Sequence, residues 1–143
     1  MDEKKIGNKL KNTGLLQPFI KLTKLGFGGR MGRGTQYISW IHEDDFVSVI
    51  EAAIEREDFT GTIHCSSSFP ITNACFMKAL RTSLKKSFGL PNPAFLIQVG
   101  SIFVRTEPEL ILTGRRVVSN VLEAKGIRFG YPKIEEALQD LVR

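Results

Sequence analysis

The sequence predicts an α/β chain that is mostly helical, with strands too short and too few to form a sheet of their own. Three observations lead there. Apolar residues recur at helical spacing in four stretches: 15–25, 46–54, 76–84 and 134–142. Alternation of the kind a strand needs is confined to Gln36–Ile41 and Thr62–Cys65, with Val117 and Val118 as a further short pair. Glycines and prolines then cut the chain between these stretches. Two or three strands this short cannot support an independent sheet, so the inventory looks like the helical cap of something larger.

Taken in order, residues 1–14 are polar, contain Gly7 and Gly14, and read as a frayed start; residues 15–143 read as one domain. Leu15, Leu16, Phe19, Ile20, Leu22 and Leu25 form a stripe, with Pro18 tolerated in the first turn of a helix that begins near Gln17 and stops at Gly26. Gln36–Ile41 suits a strand. One of Glu43, Asp44 and Asp45 is then expected to cap a helix that carries Phe46, Val49, Ile50, Ala53 and Ile54 and ends near Asp58. Thr62–Cys65 is expected to be a strand and Ser66–Pro70 a loop. Thr72 is the expected cap of a helix with Phe76, Leu80 and Leu84, closing near Gly89. An apolar segment Ala94–Val104, a helical stretch Glu107–Leu112 and a short helix Asn120–Lys125 ended by Gly126 come next. Arg128–Gly130 is extended, and the last helix starts after Pro132 with Ile134, Ala137, Leu138, Leu141 and Val142 on one face.

Composition narrows the function. The 143 residues are 42% hydrophobic and 24% charged, as in a globular protein, and no apolar run approaches the ~20 residues a spanning helix needs. The start lacks the apolar core of a secretory signal, and Cys65 and Cys75 have neither metal-type spacing nor the number for a disulfide framework. A reduced, cytoplasmic setting is expected, with no membrane partner. The net charge of +5 is uneven. Residues 1–36 hold eight Lys/Arg against Asp2 and Glu3, whereas 37–143 hold twelve basic and thirteen acidic residues. A basic segment of this kind attracts nucleic acid or a phosphorylated small molecule, and a solvated helix face explains its lysines equally well. Arg30 and Arg33 differ, because the glycines around them allow backbone to approach an anion.

Gly26, Gly29 and Gly32 spell a dinucleotide-loop pattern, but that loop works only with a strand before it and a helix after it. Here the order is reversed, so the spelling is a decoy. His42 lacks nearby His or Cys partners for a metal site, the other histidine being His64. Ser66, Ser67 and Ser68 have no nucleophile-elbow context, and neither cysteine has a basic neighbour in sequence. No residue is assigned a catalytic or metal-binding role.

The stretch from Gly28 to Asp45, Gly-Gly-Arg-Met-Gly-Arg-Gly-Thr-Gln-Tyr-Ile-Ser-Trp-Ile-His-Glu-Asp-Asp, resembles a signature of the extended short-chain dehydrogenase/reductases, in their sugar-nucleotide-epimerase-like branch. The similarity continues through Gly61, Pro70-Ile-Thr-Asn73, Phe76, Leu90-Pro-Asn-Pro-Ala94, Gly114-Arg-Arg-Val117 and Phe129-Gly-Tyr-Pro132. His64, Ser67-Ser-Phe-Pro70 and Ser119 depart from the usual pattern. The resemblance implies the C-terminal, substrate-side part of a Rossmann-type fold, without the N-terminal Rossmann half. The family's Tyr-x-x-x-Lys pair is missing too: Ile41 stands at that spacing after Tyr37, and Glu135 after Tyr131.

By the same resemblance, the implied chemistry is that of an NAD(P)-dependent epimerase or reductase, which this chain does not perform, with a cofactor it does not bind, on its own. A sugar-nucleotide-like substrate is implied in a full-length context. The implied substrate-binding residues are Gln36, Ser39, Trp40 and His42 along the cleft, Arg30 and Arg33 toward a phosphate, and Asn73 at a helix start. A half-protein should also expose the surface that meets its Rossmann partner, and self-associate through it. The alternative is a stand-alone interaction module that binds nucleic acid or another anion through the basic segment; nucleic acid is the less expected partner.

Overall fold

Leu16–Lys24 forms the first helix, α1, in a computed structural model that describes residues 16–92 and 113–143. The expectations for the polar start, for Ala94–Val104 and for Glu107–Leu112 lie outside the described residues. Pro18 sits in the first turn of α1, where its missing N–H costs nothing. Gly26, at φ 92°, ends the helix: its N–H reaches Thr23 O and the Phe27 N–H reaches Leu22 O, the paired closure that a left-handed residue permits.

Two-residue strands β1, Tyr37–Ile38, and β2, Ile71–Thr72, pair antiparallel with Tyr37 opposite Thr72 and Ile38 opposite Ile71. The expected strand over Gln36–Ile41 therefore shrinks to two residues, and its partner comes from the border of what reads as a loop. Val117 and Val118 form no strand, because side chains rather than backbone hold that segment: Ser39 Oγ accepts the Val117 N–H and donates to Arg115 O.

Helix α2 spans Glu43–Glu55, and α3 spans Asn73–Ser83 directly after β2. Thr72 caps α3 as expected, its Oγ1 accepting the Cys75 N–H. The helix stops well before Gly89. Lys85 takes the left-handed conformation at φ 55°, and the Lys85 and Lys86 N–H groups close onto Thr82 O and Arg81 O. A lysine in the place where glycine is usual gives no stop signal in the sequence. Helix α2 also ends early, at Glu55, where Arg56 turns extended and grips Asp58.

Helices α4, Asn120–Ala124, and α5, Ile134–Leu141, complete the chain. Ser119 caps α4, and Gly126 at φ 74° ends it. The core lies where α1, α3 and α5 meet: Ile20, Met31, Phe76, Met77, Ala79, Leu80, Ile134 and Leu138, with Phe19 set edge-on against Phe76 at 5.5 Å. The architecture is the mostly helical α/β arrangement that the sequence implies, with a two-residue strand pair as the only sheet among the described residues.

Candidate functional site

The glycine-arginine loop from Gly26 to Gly34 is not an open cradle. The segment Leu90–Asn92 threads it: Leu90 N–H bonds Gly26 O, Gly29 N–H bonds Leu90 O, Asn92 N–H bonds Arg30 O and Gly32 N–H bonds Asn92 O, all between 2.8 and 2.9 Å. Asn92 Nδ2 adds a bond to Phe27 O at 2.7 Å. Gly29 is required by this crossing, since a Cβ there would fall 2.4 Å from Leu90 O. The glycines thus bring two backbones of the same chain together, a different use of close approach from the ligand contact that the sequence suggests. Arg30 and Arg33 remain exposed on the rim, with an Arg30 guanidinium nitrogen donating to Arg33 O at 3.3 Å.

Beyond the loop, each expected residue of the signature holds another segment in place. Gln36 Nε2 donates to Met31 O at 2.9 Å. Ser39 pins residues 115–117, and Trp40 Nε1 donates to Phe69 O at 2.9 Å. Asn73 is fully buried and accepts the Met31 N–H at 2.8 Å, while its Nδ2 has no hydrogen-bond partner among the described residues. Its place at the start of α3 suggests a cap, but Thr72 caps the helix and Asn73 instead ties α3 to the loop.

His42 is the cap of α2. Its Nδ1 accepts the Asp44 N–H at 3.2 Å, so the acids expected to cap the helix occupy its first turn instead, favourably placed in its dipole. The ring is buried and stacks on Tyr131 at 3.8 Å. Asp45, also buried, accepts from the Gly130 and Tyr131 N–H groups at 2.6 and 3.1 Å. Partial desolvation, then the charges of Asp140, Asp44 and Asp45, push the Tyr131 hydroxyl above its ordinary value.

His42, Asp44 and Asp140 bring three possible ligand atoms within 4.8 Å of one another. With Nδ1 occupied by an amide N–H, the neutral ring carries its hydrogen on Nε2, which faces Asp140 Oδ2 at 3.6 Å. A ring in that tautomer offers a metal ion no free lone pair, and at 3.6 Å Asp140 stands beside the buried Nε2 without hydrogen-bonding to it.

A cavity of about 240 Å³ lies between three segments and is lined by Ser39, Trp40, Ile41, His64, Cys65, Ser66 and Val117. It falls short of the roughly 300–1,000 Å³ of a small-molecule pocket. Of the expected site residues it gathers only Ser39 and Trp40; Arg30, Arg33, Gln36, His42 and Asn73 do not line it. His64, Cys65, Ser66 and Val117 escape a reading of the sequence because they join the site only through the long-range bonds of Ser39 and of Ser66 Oγ, which donates to Val117 O at 3.0 Å. No helix among the described residues is long and apolar enough to cross a membrane.

Residues 92–141 match a family described as "Domain of unknown function (DUF1731)". The chain is 31% identical over 90% of its length to epimerase family protein SDR39U1 of Bos taurus, of which it covers 42%. It is 32% identical over 87% of its length to epimerase family protein Mb2239 of Mycobacterium bovis, covering 41% of that protein. The crystal structure of human epimerase family protein SDR39U1 (isoform2) with NADPH superposes on 90% of the chain with a TM-score of 0.81 and 26% identity; the match spans 43% of the human chain.

The chain belongs to the epimerase-like short-chain dehydrogenase/reductases. It corresponds to their C-terminal part and spans less than half the length of the relatives it matches. This epimerase-family chain thus carries the small cavity beside Ser39 and Trp40 within a fold that the relatives complete with further sequence.

Proposed function

We propose that this chain is the substrate-side half of an NAD(P)-dependent nucleoside-diphosphate-sugar epimerase or reductase, and that it is inactive without a nucleotide-binding half. The observation that carries the reading is a disproportion. A relative solved with NADPH is more than twice as long as the part matched here, while the described residues hold no sheet beyond β1 and β2. A dinucleotide fold needs a multi-stranded parallel sheet whose strand ends receive the pyrophosphate, and the sequence contains neither that loop nor the Tyr-x-x-x-Lys pair.

In this reading the undersized cavity is one wall of a cleft. Ser39 and Trp40 shape that wall, with Gln36 beside them in sequence, and the exposed guanidiniums of Arg30 and Arg33 offer bidentate donors to a substrate phosphate. His42 and Asn73 act one step back, fixing α2 and the glycine loop from which the wall is built. The setting is cytoplasmic, consistent with Cys65 and Cys75 both being free thiols.

Calorimetric titration of NADPH into the isolated chain tests the proposal. No binding heat is expected; saturable micromolar binding would overturn it, because this chain would then hold the cofactor without the other half.

A further inference from the structure

His42 caps its helix only while its ring is uncharged. The side chain is buried, and Nδ1 accepts the Asp44 N–H at 3.2 Å with the one lone pair that a neutral imidazole has to offer. The ring's hydrogen is then on Nε2, which has no hydrogen-bond partner among the described residues. A buried N–H without an acceptor is rare in a folded chain. Asp140 Oδ2 on α5 stands 3.6 Å from it, just outside bonding distance.

Asp44 presents the same ring with two opposite partners. Its backbone N–H donates to Nδ1, and its carboxylate oxygen Oδ2 lies 3.7 Å from that nitrogen. The first partner suits a neutral ring and the second a charged one. A proton taken up from solvent must go to Nδ1, where the lone pair is. Nδ1–H and the Asp44 N–H would then face each other 3.2 Å apart, two donors with no acceptor between them. The Asp44 carboxylate is exposed and makes no hydrogen bond among the described residues, so it is able to turn toward the ring.

The other groups around the ring come from each element packed against it. Asp45 of α2 is committed to the Gly130 and Tyr131 N–H groups. Tyr131, ahead of α5, stacks on the imidazole at 3.8 Å, and α5 supplies Asp140. An imidazolium here has two carboxylates and an aromatic face as partners, with Arg143, which acts on the Tyr131 phenol, as the opposing cation.

We infer that His42 is a pH-operated joint. Neutral, it caps α2 through Nδ1; protonated, it gives up the Asp44 N–H and is held by the carboxylates of Asp44 and Asp140, so that α2 exchanges its cap for a tie to α5. Every group involved belongs to this chain, and the inference stands apart from the proposed function.

NMR of the whole chain follows the His42 ring and the Asp44 amide together between about pH 8 and about pH 5, a window that spans the ordinary histidine value of ~6.5 and stays above the ordinary aspartate value of ~3.9. The Asp44 amide proton is expected to move upfield along the same curve as the ring carbons, because it loses its acceptor. In His42→Asn, whose side-chain oxygen accepts at every pH, that resonance should stay in place. Urea denaturation of Asp44→Asn and Asp140→Asn gives the second reading. Both variants keep the cap N–H, and any loss of dipole interaction is the same at both ends of the window. The fall in urea midpoint should therefore be larger at the acid end, where the ring carries its charge. A ring that stays neutral throughout the window overturns the inference, as does an Asp44 amide that ignores ring protonation. Losses that are equal at the two ends in either variant overturn it too, since one of the two carboxylates would then take no part in the exchange.

Discussion

Helices α2 and α3 carry apolar stripes of similar quality, yet the chain uses them differently. In α3 the stripe is spent inside: Phe76, Met77, Ala79 and Leu80 are buried against α1 and α5. In α2 only Val49 of the apolar set is buried, while Phe46 is 44%, Ile50 43% and Ile54 81% exposed. An amphipathic pattern states that a face will be covered; it does not state by what. Helix α3 finds its cover within this sequence. The cover of α2 is absent from the described residues, as expected for a chain that matches less than half of its relatives.

The sharpest way to break this comparison is to truncate one side chain in each helix. Leu80→Ala should cost about 2–5 kcal/mol in urea denaturation, because a side chain with no exposure leaves a cavity. Ile54→Ala should stay within about 0.5 kcal/mol. Equal losses would mean that α2 is packed after all. Next in size, Asp45→Ala leaves the Gly130 and Tyr131 amides without their charged acceptor and should cost about 1.5–3 kcal/mol by the same measurement. Without stacking to hold it, α2 depends on such attachments at its N-terminus. His42→Ala, which removes the α2 cap, should cost about 1 kcal/mol, with His42→Asn recovering most of it because Asn can accept the Asp44 N–H; no recovery would show that the Tyr131 stacking, rather than the cap, is the contribution.

The smallest effect is at the other end of α2. The Arg56 hydrogen bond, aided by Lys125, holds the Asp58 carboxyl below its ordinary 3.8. A carboxyl depressed in the folded state contributes stability above that value and loses it as pH falls through the folded one. The stability gap between the natural chain and Asp58→Asn should therefore be constant near neutrality and close in acid; a gap that persisted at low pH would remove the ion pair from the explanation.

Much of this was legible in the sequence, because stripes and caps are local. The α1 stop at Gly26, the Thr72 cap and the α5 face are set by residues within a few positions of each other. What could not be read depends on distance along the chain. Nothing near Ser39 announces that it will hold Val117, and nothing near Asp45 announces Gly130. The strand expected at Thr62–Cys65 does not form: a strand needs a backbone partner, and that segment pairs with none among the described residues. The signature residues are recognisable as a set while their individual tasks are not: Trp40, His42 and Asp45 each bond or stack on a segment far from their own, so their spacing records an assembly of loops rather than a row of ligand contacts.

The threading of Leu90–Asn92 through the glycine-arginine loop has a consequence for how the chain comes into being. The loop's bonds to that segment join residues about 60 positions apart, so local bonds such as Gly34 N–H to Met31 O leave its shape incomplete. At ~5–20 residues per second of synthesis, Gly26–Gly34 emerges roughly 3–12 s before the segment that completes it. The arginine rim is consequently finished only once Leu90–Asn92 has emerged, and a nascent chain stalled before Leu90 would present the glycines and arginines of the loop without the four backbone bonds that complete it.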